Sequence, residues 1–251
     1  MRAKAARCER QDFYVLEYHE NVAVLKLGKK FLSNAVDMAI ENPLLDIFDH
    51  IAADDQIMVM IIMNCLEQTG CEEYIAYCRQ AVRAEADRRS IQKMCNFFDQ
   101  LLLRIVKLNK PVIHADCGEV ISLFLGISLA CDYRIIATHT IFQKPYFILG
   151  TLPKGGSPFF LCKMLGYDRT KKLFMSQTAV NAIEAVELGI VDQVVPMDKL
   201  EETAIQLALE WTKRPMRSLA GIKRLINYSL KDLKEYLSYE SQELLKTIGT
   251  F

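Results

Sequence analysis

The sequence predicts an α/β fold in which strands and helices alternate over roughly the first two thirds of the chain and helices alone follow. Three observations carry that prediction. Short apolar runs of strand length recur at 13–18, 22–27, 57–63, 111–115 and 133–137. Helical spacing of apolar residues fills 35–51 and 121–131. From residue 161 onward the pattern is helical. Alternation of this kind argues for stacked β/α units rather than a helical bundle.

Taken in order, the first two strands flank a turn at His19, Glu20 and Asn21. A helix and an apolar run of strand length follow. Residues 72–108 read as a long polar helical stretch whose charged part, with Arg79, Arg83, Glu85, Asp87, Arg88 and Arg89, is a solvated face or a mobile loop. Pro111 stops it. The strand at 111–115, a strongly apolar helix at 121–131 and the strand at 133–137 come next. Two helices, 201–213 and 216–228, are separated by Arg214 and Pro215, and an amphipathic helix at 231–247 closes the chain. No repeat or low-complexity linker divides it. The expected organisation is a β/α core over 1–195 and a helical region over 196–251 that packs neighbouring subunits.

Composition narrows the partners. The chain has 251 residues, 51% hydrophobic and 25% charged, enough for one large or two small domains with a sizeable core. Its 31 basic and 31 acidic side chains cancel, which disfavours nucleic acid and anionic membranes as partners. The 8 cysteines stand singly, without a CxxC pair, and read as buried free thiols. The basic amino terminus lacks the apolar stretch of a secretory signal, and no segment offers the roughly 20 apolar residues of a membrane span. A cytoplasmic setting is expected.

The most specific signal runs from Lys110 through Pro111 to Gly118, then through Leu129, Ala130, Cys131 and Asp132 to Ala137. It continues with Phe142, Pro145, Leu149-Gly150-Thr151-Leu152-Pro153 and Gly155-Gly156, and on to Leu165-Gly166, Glu187-Leu188-Gly189-Ile190-Val191-Asp192 and Val194 to Pro196. In order and spacing these residues, about a third of the chain, resemble the crotonase (enoyl-CoA hydratase/isomerase) superfamily. The resemblance implies a spiral of ββα turns with a helical carboxyl-terminal region, assembled as homotrimers or hexamers. It also implies a thioester of coenzyme A, or of an acyl carrier, as substrate, with no permanently bound cofactor. In such proteins two backbone N–H groups receive the thioester carbonyl, and preorganised donors of that kind contribute about 3 to 4 kcal/mol each. Here they register at Cys71 and Leu123, the second in the turn entering the 121–131 helix, where the helix dipole assists. Three glycines are usual where this chain has Ser122, Leu123 and Phe124, so Leu123 and Phe124 are expected to narrow the approach.

Hydratases of the superfamily use two glutamates, one on the central helix and one just before the Leu-Gly-Thr-Leu-Pro stretch. The same register places Gly126 and Tyr146 there. A phenol with an ordinary pKa near 10 donates a hydrogen bond readily but is a poor base near neutrality. Residues 125–130 are also similar to the 4-chlorobenzoyl-CoA dehalogenase branch. That branch needs an aspartate nucleophile where this chain has Lys154, and an ammonium forms no aryl ester.

Lys154 is therefore the polar residue of most interest. As a cation near the acyl pocket it would hold a substrate carboxylate or stabilise an enolate left by decarboxylation; a solvated loop lysine, or one on a CoA phosphate, is the competing reading. Glu119 is a candidate replacement acid, with a surface or interface role as the alternative. A register slip between Gly118 and Asp132 would bring it closer to a catalytic position. Glu72 and Glu73 flank the first amide position. His114 reads as a core histidine within an apolar strand, and His139 falls in a turn. Lys29 and Lys30 are positioned for CoA phosphates, and Lys223 for a neighbouring subunit. No cluster has metal-ligand spacing, so no metal is expected. Two functions stay open: an enzyme whose chemistry needs no paired glutamates, such as decarboxylation or thioester hydrolysis, and a non-catalytic homologue that binds acyl thioesters or supports a catalytic partner.

Overall fold

The computed structural model describes residues 8–28, 31, 38–64, 72, 74–76, 78–79 and 88–248. The amino-terminal strands are β1 (Cys8–Gln11), β2 (Tyr14–His19) and β3 (Val22–Leu27). Glu20, at φ 53°, makes the β2–β3 reversal in the left-handed region. Helix α1 (Met38–Ala53) leads to β4 (Val59–Asn64), and α2 (Arg88–Lys107) leads to β5 (Val112–Asp116).

Two ββα turns follow. The first is β6 (Glu119–Val120) and α3 (Ser122–Ala130) after β5. The second is β7 (Tyr133–Ala137), β8 (Ile141–Phe142) and α4 (Tyr146–Leu149). In each turn a long strand joins the large sheet and a short one joins the small sheet. Gly118, at φ 74°, makes the change of direction between β5 and β6, where a side chain would be strained. Helices α5 (Ser157–Leu165) and α6 (Tyr167–Met175) precede β9 (Val180–Asn181), α7 (Ala182–Glu187) and β10 (Gln193–Val195). The carboxyl-terminal helices are α8 (Leu200–Thr212), α9 (Met216–Asn227) and α10 (Leu233–Ile248).

The large sheet runs β1-β2-β3-β4-β5-β7-β10, antiparallel over its first three strands and parallel from β3 onward; the small sheet runs β6-β8-β9. Parallel strands covered on both faces read as continuous apolar runs, and β4 is buried along its whole length. One face packs against α1, α2 and α3; the other, with Val24, Ile61, Ile113 and Ile135, is closed by Ala204 and Ala208 of α8. The carboxyl-terminal helices are thus part of the core. Asp132 accepts the Val112 amide at 2.7 Å and pairs with Lys223 at 2.8 Å, which fixes α9 to β5 and β7. Lys223 is buried within its own chain on this contact, contrary to its expected place at a neighbour.

Sequence reading placed the five long strands and the helices α1, α3, α8, α9 and α10 within a few residues, whereas α2 begins at Arg88, well inside the helical stretch expected over 72–108, part of which lies outside the described residues. It missed β1, a fully exposed edge strand held by backbone pairing to β2, and the two- and three-residue strands β6, β8, β9 and β10, which are too short for a period.

Candidate functional site

Helix α3 is buried from Ser122 to Ala130 and apolar all round, so its position is set by packing on every side. Its first turn follows directly on β6 of the small sheet, before the chain returns to the large sheet at β7. Ile121, at the N-cap, supplies no side-chain acceptor, so the first-turn amides are capped by no residue of their own helix start. Leu123 and Phe124 are fully buried. The Phe124 ring does not cover the turn: it packs against Phe31 and Phe98, at centroid distances of 6.0 and 6.5 Å. The Phe124 side chain is therefore directed into the core.

Against this turn lies the segment Pro153 to Gly156. Gly155, at φ 97°, approaches so closely that a Cβ on it would meet the Leu123 Cα and carbonyl oxygen at 3.1 Å. From the other side, a Cβ on Gly126 would overlap the Gly155 carbonyl oxygen and lie 2.7 Å from its carbonyl carbon. Two glycines thus let two backbones touch, and the space that a side chain at 126 would need is filled. The Lys154 amide lies 3.4 Å from the Ser122 hydroxyl.

The same segment carries a buried polar cluster. Lys154, completely buried, donates from Nζ to Asp99 of α2 and to Glu240 of α10, the latter at 2.9 Å. The Glu240 carboxylate also accepts the Gly155 amide at 3.1 Å and the Gly156 amide at 3.0 Å. Ser241 donates to Asp99 at 3.1 Å. Burial opposes the Lys154 ammonium, but Glu240 and Asp99 outweigh it and hold its pKa above the usual lysine value. Burial likewise lifts both carboxylates, by more than the Lys154 ammonium and their other hydrogen bonds lower them. Beside this cluster, burial raises the Cys95 thiol to about 11, and the buried Tyr74 phenol rises well above its ordinary range.

The residues singled out in the sequence are placed as follows. Lys154 is neither a solvated loop lysine nor free to hold a substrate carboxylate, because both of its partners are protein carboxylates. Tyr146 turns its hydroxyl to the Phe174 carbonyl at 3.2 Å, and burial pushes its pKa up to about 12. Glu119 is exposed on β6 and accepts a hydrogen bond from Gln143 at 3.0 Å, so the surface alternative describes it. Glu72 is exposed. Cys71, Glu73, Lys29 and Lys30 lie outside the described residues. Among the described candidates, Leu123 alone is at the turn itself.

Asp99 and Glu240 were not anticipated, although a signal existed. Asp99 shares a helical face with Cys95 and Leu102, and Glu240 one with Leu233, Leu237 and Leu244, all buried. A carboxylate within an apolar stripe implies a buried partner. Among the described residues, no group of three or more His, Cys, Asp or Glu is placed to hold a metal ion, and no helix is long and apolar enough to cross a membrane. Cys8, Cys78, Cys95, Cys117, Cys131 and Cys162 are free thiols, three of them buried.

Comparison with known proteins gives the site its context. The family model described as "Enoyl-CoA hydratase/isomerase" matches residues 17–250. A trans-2-decenoyl-[acyl-carrier-protein] isomerase of Streptococcus mutans is 26% identical over 93% of this chain and 88% of its own. A short-chain-enoyl-CoA hydratase of Clostridium acetobutylicum is 24% identical over 94% of this chain and 89% of its own. Among solved structures, an enoyl-CoA hydratase from Bacillus halodurans superposes with a TM-score of 0.80 at 18% identity, over 94% of this chain and 95% of that one, a likeness of fold.

Proposed function

This chain belongs to the enoyl-CoA hydratase/isomerase family, and we propose that it binds an acyl thioester of coenzyme A or an acyl carrier against the α3 amides without hydrating a double bond. The observation that carries this reading is the contact between Gly126 and Gly155. Resemblance puts one of two essential glutamates at position 126, and there the Gly155 carbonyl stands where its side chain would begin. Tyr146, at the other position, spends its proton on the Phe174 carbonyl and is a base only above about 12.

What remains is the amide of Leu123 at the positive end of α3, a donor that polarises a carbonyl whatever the side chain. The relatives named for acyl-carrier and CoA substrates support a thioester as ligand. On this reading the chemistry needs only a polarised carbonyl and no paired carboxylates. Assembly as homotrimers or hexamers belongs to the same reading, supported by the exposed Ile222, Leu225 and Ile226 of α9. The described free thiols support a reducing compartment.

Calorimetric titration with hexanoyl-CoA and free CoA, run beside a hydration assay on crotonyl-CoA, tests it. Acyl-dependent binding with no hydration is expected. Turnover of crotonyl-CoA would sink the reading, and so would binding of hexanoyl-CoA no tighter than CoA.

A further inference from the structure

We propose that Glu240, on the carboxyl-terminal helix α10, is a positioning residue for the carbonyl-polarising amide of Leu123, acting through the Lys154 to Gly156 segment. The inference rests on the thioester reading above.

Three contacts carry it. The first is at the site: Gly155 lies so close to the Leu123 backbone that a Cβ on it would stand 3.1 Å from the Leu123 Cα and carbonyl oxygen, so a displacement of one backbone displaces the other. The second is between that segment and α10. A single carboxylate accepts both the Gly155 and the Gly156 amides and also the Lys154 ammonium, so three consecutive residues are fixed by one side chain. The third secures the carboxylate, as Lys154 also binds Asp99, which in turn accepts Ser241, the neighbour of Glu240 on α10. Helix α10 is thereby joined to α2 and to the segment by charge-assisted hydrogen bonds in a buried site, where such bonds are strong and directional.

Gly155 and Gly156 show why a strut is needed. Both have positive φ, at 97° and 69°, a backbone that glycine samples freely on either side of zero. Left to itself this segment would have many conformations, and the α3 turn would lose one of the surfaces that fix its amide. Preorganised donors stabilise an oxyanion because they do not reorganise as charge develops. Coupling of this kind is reciprocal, so a thioester that holds the α3 turn also favours the docked α10.

The test reads the carbonyl itself. Hexanoyl-CoA carrying carbon-13 at its carbonyl is bound to the protein, and its stretching band is followed by isotope-edited infrared difference. In the native protein the band moves to lower frequency than in buffer. In Glu240→Gln, which keeps the shape and loses the charge, at least half of that displacement is expected to disappear. Two controls separate position from stability: Leu244→Ala loosens α10 from its apolar packing without touching the segment, and Glu235→Gln changes an exposed face of the same helix. Both keep the native band.

A native-like band in Glu240→Gln, or an equal loss in Leu244→Ala, overturns the inference while leaving the thioester reading intact. No displacement in the native protein sinks both. If Glu240→Gln fails to fold, Asp99→Asn takes its place, since it spares the Glu240 bonds to both amides and takes one charge from Lys154. A partial return of the band then supports the inference, and an unchanged band overturns it.

Discussion

At the scale of single residues, the structure moves Lys154 from chemistry to architecture. A buried cation between two carboxylates adds little net stability, but removing it leaves Asp99 and Glu240 buried without the ammonium they share. Lys154→Ala is expected to destabilise the fold by about 3 to 5 kcal/mol, read from urea unfolding. A variant as stable as the native chain that has lost turnover of a malonyl thioester would return Lys154 to the mechanism. Gly126 makes the complementary prediction. If the missing glutamate were merely an absent side chain, Gly126→Glu would create a hydratase. Because the Gly155 backbone fills that space, the substitution is expected instead to cost about 1 to 3 kcal/mol or more and to yield no hydration of crotonyl-CoA; measurable hydration would show that the segment gives way. The sequence made Gly126, Tyr146 and Lys154 legible as departures from a pattern. It gave no view of what fills the space of a missing side chain, since the obstruction comes from a backbone about thirty residues away.

At the scale of elements, β5 shows both the reach and the limit of sequence reading. Its apolar run and the proline before it located the strand, and His114 within it read as a core histidine. The structure adds Asp116 on the same face, its Oδ2 3.9 Å from His114 Nδ1, with both imidazole nitrogens and that oxygen lacking hydrogen-bond partners among the described residues. Burial, and then Arg134 on β7, press the His114 pKa down to about 3, while burial lifts Asp116 well above its usual range. The two have opposite consequences. Between the ordinary histidine pKa near 6.5 and about 3, the unfolded chain takes up a proton that folded His114 refuses, so its contribution to stability falls as pH falls. Folded Asp116 already holds its proton where an unfolded aspartate has released it, so its contribution rises as pH falls. Comparing native protein with His114→Leu isolates the first effect. Between pH 7 and 5 the native chain is expected to lose about 2 kcal/mol relative to the variant, at about 1.4 kcal/mol per pH unit below 6.5. Parallel stability curves from urea titrations at the two pH values would show that His114 is charged or solvated in the fold.

At the scale of the whole molecule, the question is whether the helical region after residue 195 is a separable unit, as its uniform periodicity invites one to read. Periodicity identifies a helix but not what its apolar face covers, and here the face of α8 belongs to the sheet. Ala204 and Ala208, both small and fully buried, bring α8 close to Val24, Ile61, Ile113 and Ile135. Lys223 of α9 neutralises Asp132, the residue that orients the Val112 amide between β5 and β7. Glu240 of α10 holds the segment packed on α3. A chain ending at Val195 would lose all three: one face of a parallel sheet would meet water, Asp132 would lose its ammonium, and the two glycines would lose their acceptor. Burying a Val or Ile side chain is worth roughly 1.5 to 3 kcal/mol, so exposing four of them alone approaches the 5 to 15 kcal/mol total stability of an ordinary domain. Residues 1–195 expressed alone are therefore expected to show no cooperative thermal transition and rapid amide exchange in β3, β4 and β5, with native protection returning when residues 196–251 are supplied in trans. A fragment that unfolds cooperatively and protects those three strands would establish two independent units, and would leave the Glu240 strut as a contact between them rather than part of one core.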